Sequence, residues 1–109
     1  MLVMAAPAAS RERIPHPPAE TIELATVMRT VGDPLRLEIV RLLADGARGC
    51  GELSDALGIP ASTGSYHLRL LREAGVTRTT ADGVHRLISL RRDDLEERFP
   101  GLVDVLTRA

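Results

Sequence analysis

"ELSDALGIPASTGSYHLRLLREAG", residues 52–75, contains two stretches of helical apolar period separated by a short break. The apolar side chains of the first stretch are Leu53, Ala56 and Leu57. Gly58 ends that helix, and Ser62 is a good N-cap for a second helix that runs to Gly75. The residues between the two helices are so few that only a tight turn fits. The stretch therefore predicts a helix-turn-helix.

The second helix has one apolar and one polar side when it is drawn at 100° per residue. The apolar side consists of Gly64, His67, Leu68, Leu70, Leu71 and Ala74. The polar side consists of Ser62, Ser65, Tyr66, Arg69 and Arg72. Small residues would let the first turn enter a DNA major groove, where hydroxyl groups reach base edges and guanidinium groups reach phosphates. Serine and threonine at a helix start are ordinarily N-caps, and surface arginines are ordinarily just solvated. The helix alone therefore does not decide the function.

A β-hairpin is predicted directly after this helix. Residues 76–80 and 85–90 are alternating or β-branched, and Asp82-Gly83 between them is a strong turn signal. The hairpin carries Arg78, Thr79, Thr80 and Arg86. A helix-turn-helix followed by such a hairpin is a winged helix, whose wing reaches phosphates or the adjacent minor groove.

Three further helices are predicted around this motif. The first covers residues 20–31, with an apolar stripe of Ile22, Leu24, Ala25, Met28 and Val31. The second begins at Asp33 as cap and Pro34 as first residue, stops before Gly46 and is apolar on two faces. The last begins near Asp93, bends at Pro100 and has an apolar face of Leu95, Phe99, Leu102, Val103 and Leu106. The predicted fold is mainly α with a small antiparallel β-hairpin wing.

The chain of 109 residues has room for one domain, predicted at residues 20–109, after a flexible Ala- and Pro-rich tail at residues 1–19. It has one Tyr, one Phe and no Trp, so its core must be aliphatic and would gain stability from a partner subunit. No secretory signal, transmembrane stretch or disulfide pair is present, which predicts a cytoplasmic protein with no membrane partner.

Charge is distributed unevenly along the chain. The net charge is −1, but residues 62–92 contain six arginines and two acids, a local excess of four positive charges. Residues 93–109 contain two arginines and five acids. The recognition helix and wing are therefore the part of the chain suited to a polyanion.

The segments "VGDPLRLEIVRLLADG", "ELSDALGIPASTGSYHLRLLREAGVTRTTADG" and "HRLISL" resemble the ArsR/SmtB family of bacterial winged-helix repressors, over residues 21–106. The resemblance implies a homodimer, formed mainly by the first and last helices, that represses transcription by occupying an inverted-repeat operator. It also implies that Ser62, Ser65 and Tyr66 read bases. The helix and hairpin arguments make Arg69 and Arg86 phosphate contacts. The complete set of predicted DNA contacts is Ser62, Thr63, Ser65, Tyr66, Arg69, Arg72, Arg78 and Arg86.

Many members of the family release DNA on binding a metal, but the residues for this are absent from the sequence. The family's C-x-C motif is replaced by Gly49-Cys50-Gly51, and one thiol does not make a site for a thiophilic ion. The second family site needs histidine and carboxylates on the last helix, where this chain has acids but no histidine. We therefore predict no metal and no cofactor, a buried structural Cys50, and a packed, hydrogen-bonded His67.

The sequence thus predicts a dimeric DNA-binding repressor that is not an enzyme, since it lacks a paired nucleophile and base and a glycine-rich phosphate loop. A small-molecule inducer of unknown identity is a possible further partner. Two alternatives stay open at this point. The winged helix could bind a protein through the same helix and wing, or the regulator could sense oxidants through Cys50.

Overall fold

The computed structural model describes residues 14–108. Its elements follow the order α1 Leu24–Val31, α2 Pro34–Leu42, β1 Arg48–Gly49, α3 Cys50–Leu57, α4 Ala61–Glu73, β2 Thr77–Asp82, β3 His85–Leu90, α5 Arg92–Arg98 and α6 Leu102–Thr107. One 3-10 turn, Ala19–Thr21, precedes α1. Within these residues no helix is long and apolar enough to cross a membrane.

Helix α1 begins later than predicted and buries a different face. Its buried residues are Val27 and Val31, while Ile22 is buried ahead of the helix, against Gly75. Leu24, Ala25 and Met28 of the predicted stripe are exposed in the single chain, and Val31 is its one buried member within the helix. Ile22 lies before the helix, so it shares no helical face with the other members of the stripe.

Helix α2 begins as predicted. The Asp33 carboxylate accepts hydrogen bonds from the backbone N–H groups of Leu35 and Arg36, at 2.8 and 3.2 Å. Desolvation acts to raise the pKa of Asp33, but these two bonds and the Arg36 charge outweigh it, so the pKa is lowered from its ordinary value. Ile39 and Val40 are both buried although they lie about 100° apart around the helix, which fits the prediction of a helix covered from two sides.

The sheet has three strands in the order β1-β3-β2, all antiparallel. Strands β2 and β3 form the predicted hairpin, in which Asp82 pairs with His85 and Gly83 has a φ of 65°. The two-residue strand β1 adds to the other edge of β3 and corrects the prediction of a two-stranded ribbon. Two residues are too few for an alternating pattern, so the sequence gives no sign of this pairing.

The core is aliphatic and takes residues from the helices and the hairpin. Its buried members include Ile39, Leu43, Leu53, Leu71, Val76, Ile88, Leu95, Val103 and Leu106. The predicted bend at Pro100 divides the C-terminal segment into α5 and α6, with Gly101 between them at a φ of 90°.

Residues 14–18 lie against the winged domain. Thr79 N–H donates a hydrogen bond to His16 Nε2 at 3.0 Å, and Arg91 Nη1 donates to the Pro17 carbonyl at 2.8 Å. Burial, together with the charges of Arg78 and Arg91, lowers the pKa of His16 below its ordinary value. The predicted tail of residues 1–19 falls for the most part outside the described residues, so its flexibility stays a prediction for residues 1–13.

Candidate nucleic-acid interface

The turn between α3 and α4 positions the candidate recognition helix. Gly58 ends α3 with a φ of 67°, a conformation that favours glycine. Helix α4 then begins at Ala61 with Pro60 as its N-cap residue and no side-chain cap. The prediction that Ser62 caps this helix is therefore wrong, because the helix begins before it. Ser62 lies in the first turn with its side chain exposed.

A close contact between Gly64 and Ser54 packs α4 onto α3. A Cβ atom at position 64 would overlap Ser54 Oγ and lie 3.3 Å from Ser54 Cβ. Ser54 is only 5% exposed, whereas Ala56 is exposed, which corrects the prediction that Ala56 faces inward. Helix α3 begins at Cys50, two residues earlier than predicted. Gly64 of α4 leaves space for Ser54 on the inner face of α3. The absence of a side chain at position 64 thus allows the two helices to approach.

The inner face of α4 is also fixed by a polar contact. Arg36 Nη1 lies 3.0 Å from Nδ1 of the buried His67, and Arg36 Nε donates to the Thr30 carbonyl at 2.6 Å. Arginine has no acceptor, so this contact requires that His67 Nδ1 accept the hydrogen bond. This agrees with the prediction of a packed, hydrogen-bonded His67. The contact between Arg36 and His67, together with the buried Leu68 and Leu71, connects α4 to the α2 side of the domain.

The outer face of α4 is open along its first two turns. Ser62, Ser65, Tyr66 and Arg69 are exposed, and Thr63 is half-buried. The Arg69 guanidinium carbon lies 5.6 Å from the centre of the Tyr66 ring, within cation–π distance. These residues form a surface of hydroxyl groups, one aromatic ring and one cation on an anchored helix.

The wing places its two predicted arginines on opposite faces of the sheet. Arg86 is two residues from Ile88, whose cross-strand partner is Thr79, so Arg86 and Thr79 share the face toward α4. Arg78 is one residue from Thr79 and lies on the other face, where its guanidinium is 3.5 Å from the Asp94 carboxylate. The structure therefore groups Arg86 with α4 and separates Arg78 from it.

Arg72 differs from the other predicted contacts on α4. It is half-buried rather than on the open face, and its Nε is buried without a hydrogen-bond partner among residues 14–108. It lines two cavities, one toward the wing with Ser65 and Arg86 and one toward Pro15 and His16. The helical wheel placed Arg72 on the polar side, but the wheel has no information on the wing and residues 14–18, which cover this end of the helix.

Sequence reasoning missed the contribution of residues 14–18 and of Arg91. Arg91 is 4% exposed, donates to Pro17 and contacts the Asp94 carboxylate at 2.9 Å. The Ala- and Pro-rich sequence predicted a flexible tail, and no local pattern indicates which surface residues 14–18 would cover.

Cys50 is half-buried at the first position of α3, so it is less enclosed than predicted. Within residues 14–108, no group of three or more His, Cys, Asp or Glu side chains is arranged to hold a metal ion. The redox hypothesis for Cys50 stays a prediction.

Comparison with known proteins identifies this architecture. A family model described as a helix-turn-helix domain matches residues 31–80. The chain is 36% identical over 84 residues to the uncharacterized HTH-type transcriptional regulator YceK of Bacillus subtilis, covering 75% of this chain and 84% of YceK. It is 39% identical over 61 residues to the HTH-type transcriptional repressor SmtB of Mycobacterium tuberculosis, covering 55% of this chain and 45% of SmtB.

A solved structure with the same fold is the homodimeric winged helix-turn-helix DNA-binding domain of a possible ArsR-family transcriptional regulator from Mycobacterium bovis. It superimposes with a TM-score of 0.67 at 24% identity, covering 97% of this chain and 89% of that one. The predicted fold, family and class of function are confirmed. The chain belongs to the ArsR/SmtB family of winged helix-turn-helix transcriptional regulators, which bind DNA.

Proposed function

We propose that this chain acts as a homodimeric repressor that binds an inverted-repeat operator through α4 and the wing of each subunit. It works in the cytoplasm as a binding protein without catalytic activity. The observation that carries the proposal is the outer face of α4: Ser62, Ser65, Tyr66 and Arg69 are exposed together on a helix whose inner face is anchored.

The residues of this face have distinct roles in the proposal. Ser62, Ser65 and Tyr66 lie on the first two turns, which enter the major groove most deeply, so they contact base edges. Thr63 is half-buried and contacts the backbone at the groove edge. Arg69 lies one turn farther along and binds a phosphate, with its guanidinium held over the Tyr66 ring.

The wing arginines act on the flanking backbone. Arg86, on the sheet face toward α4, is positioned for a phosphate beside the major groove. Arg78 must exchange its contact with Asp94 for a phosphate, and Arg72 must extend from its half-buried position. We therefore expect Arg69 to contribute more to DNA affinity than Arg78 and Arg72.

Exposed apolar side chains near both chain ends support the dimer. Leu24 and Met28 on α1 are 46% and 48% exposed, and Val105 on α6 is 62% exposed. Leu24 and Met28 lie one turn apart on α1, and neighbouring exposed apolar side chains of this kind are typical of an interface. A twofold dimer would place its two α4 helices at half-sites about 34 Å apart.

The proposal is tested by titrating the purified protein against the DNA upstream of its own gene, with unrelated DNA as competitor. We expect binding that resists the competitor and weakens steeply with salt, because phosphate contacts release counterions. Binding that is equal for both DNAs and insensitive to salt would contradict the proposal. It would favour the alternative in which the same face binds a protein.

A further inference from the structure

The wing leaves the buried part of the domain at Thr79. Thr77 and Thr79 of β2 are 0% and 6% exposed, whereas Thr80 and residues 82–86 are exposed. The part of the hairpin that extends toward DNA therefore has little packing of its own. Its direction depends on how β2 is held at the point where it leaves the core.

Residues 14–18 hold β2 at this point. The strand order β1-β3-β2 leaves one edge of β2 without a neighbouring strand among the described residues. On β2, the Thr79 N–H donates a hydrogen bond to His16 Nε2 at 3.0 Å. A buried backbone N–H group without an acceptor lowers stability, so this bond favours a fixed position of Thr79 beside the segment.

The segment is itself fixed to the core by its backbone. Arg91, which is 4% exposed, donates from Nη1 to the Pro17 carbonyl at 2.8 Å. The backbone N–H and the hydroxyl group of Thr21 both donate to the Pro18 carbonyl, at 3.0 and 2.7 Å. Ile22, the next residue along the chain, is 2% exposed. The segment is therefore a fixed support for the side chain that it presents to β2.

The same segment lies beside the recognition helix. Pro15, His16 and Pro17 line a cavity together with Arg72 and Glu73, which belong to the C-terminal part of α4. The segment thus connects the two elements that contact DNA in the proposed function, on which this inference rests. We propose that His16 is a positioning residue, which holds the wing in a fixed orientation to α4 for DNA binding.

Only the neutral His16 ring can hold the wing in this way. Its Nε2 accepts the hydrogen bond from the Thr79 N–H, and a protonated ring has no acceptor. The charged groups of the elements around the ring are Arg72 and Glu73 on α4, Arg78 on β2, Arg91 after β3, and Asp94 on α5, which contacts both Arg78 and Arg91.

Burial lowers the pKa of His16, and the nearby arginine charges add to this effect. A hydrogen bond with the Ile14 backbone acts in the opposite direction without cancelling the shift. Because folding lowers the pKa, the contact with Thr79 is complete above the ordinary histidine pKa of about 6.5. It is lost as the pH falls through the lowered value.

His16→Ala and His16→Gln test the role of the ring in DNA binding. A wing that is already fixed loses less freedom on binding, which favours the complex. Loss of one hydrogen bond corresponds to about a two- to tenfold change in an equilibrium constant, so His16→Ala should weaken operator binding by about this factor at neutral pH. His16→Gln should keep the parent affinity, since its amide oxygen can accept from the Thr79 N–H. Equal operator affinities of the parent and His16→Ala would overturn the proposal.

The pH profile distinguishes positioning from a general loss of stability. His67 and His85 are present in both the parent and His16→Gln, so the ratio of the two operator affinities isolates the titration of His16. We expect the ratio of parent to variant affinity to fall about two- to tenfold between neutral pH and the lowest pH at which both proteins stay folded. A constant ratio over this range would count against the positioning role.

NMR on the full chain without DNA separates this inference from the proposed function. The Thr79 amide should exchange its hydrogen more slowly in the parent and His16→Gln than in His16→Ala, and residues 80–86 should be more mobile in His16→Ala. If His16→Ala loosens the wing but the parent has no operator preference, the positioning of the wing holds and the proposed function fails. If the parent binds its operator but the wing is equally ordered in all three proteins, the function holds and the positioning role fails.

Discussion

Gly64→Ala is the substitution that most directly tests how α4 is held. Gly64 faces Ser54 across the α3–α4 contact, and an added Cβ would overlap Ser54 Oγ. Rotation of the Ser54 hydroxyl would relieve part of this overlap. The new Cβ would still lie 3.3 Å from Ser54 Cβ, which is too close for a relaxed contact, so the two helices must also separate slightly; its distance of 3.9 Å from Ile59 Cδ1 is an ordinary contact.

The expected cost follows from two opposed effects. Overpacking of a buried contact costs about 1–3 kcal/mol. Replacement of glycine by alanine within a helix returns about 0.5–1 kcal/mol. The net expectation is a loss of about 1 kcal/mol of unfolding free energy, which lowers the Tm of a domain of this size by about 4–8 °C. DNA affinity should fall as well, since α4 shifts against the rest of the domain.

Thermal unfolding followed by circular dichroism measures this effect. Gly51→Ala is the matched control, because Gly51 is also helical and its added Cβ has no atom within 4 Å. The second variant should be neutral or slightly stabilising. A Ser54→Gly, Gly64→Ala double variant should recover part of the loss, with a coupling energy of about 0.5–3 kcal/mol between the two sites. The reasoning is refuted if Gly64→Ala raises the Tm as much as Gly51→Ala does.

Three further predictions concern the cap, the N-terminal segment and the dimer. Asp33→Ala should lower the unfolding free energy by about 0.5–2 kcal/mol in chemical denaturation, and an unchanged midpoint would show that the cap is dispensable. Because folding lowers the pKa of His16, its contribution to stability is complete above the ordinary histidine pKa of about 6.5 and is lost as the pH falls below it. The Tm of the parent should therefore fall more than that of His16→Gln between neutral and mildly acidic pH, and equal falls would exclude His16 as the cause. Met28→Glu should convert the dimer to a monomer in light scattering, whereas a dimer of unchanged mass would place the interface elsewhere.

Features determined by one residue and its own backbone could be predicted from the sequence. Asp33 caps α2, Gly58 ends α3, and the turn at Gly83 joins the hairpin strands, all as expected. In each case the preference is local, since it depends on a side-chain acceptor or on a glycine at positive φ. Ser62 shows the limit of this reasoning, because Pro60 and Ala61 begin the helix before the serine is reached.

The buried face of a short helix was harder to predict, because it depends on what packs against the helix. The predicted stripe of α1 included Val31, which is buried, but also Ala25 and Met28, which are exposed, and it omitted the buried Val27. In α3 the apolar pattern favoured Ala56, but the opposing Gly64 admits Ser54 instead. Which of two apolar faces is buried therefore depends on the residues packed against the helix, and its own apolar spacing does not contain that information.

The contacts between distant parts of the chain could not be predicted at all. His16 bonds to Thr79 of the wing, 63 positions away in the sequence. Arg91 bonds to Pro17, 74 positions away. The apolar periodicity of a helix or a strand contains no information about such distant pairs. The cavity lined by Thr79 and Arg72 exists only because these parts and α4 meet, so the half-buried position of Arg72 could not be predicted from a helical wheel.

The salt dependence of DNA binding by Arg69→Ala tests the central claim most directly. Arg98→Ala is the control, since Arg98 is exposed on α5, outside the recognition helix and the wing. In a plot of log K against log salt concentration, loss of one phosphate contact should reduce the magnitude of the slope by about 1 per subunit, and Arg98→Ala should keep the parent slope. Identical slopes for the two variants would contradict the claim that α4 contacts the DNA backbone through Arg69.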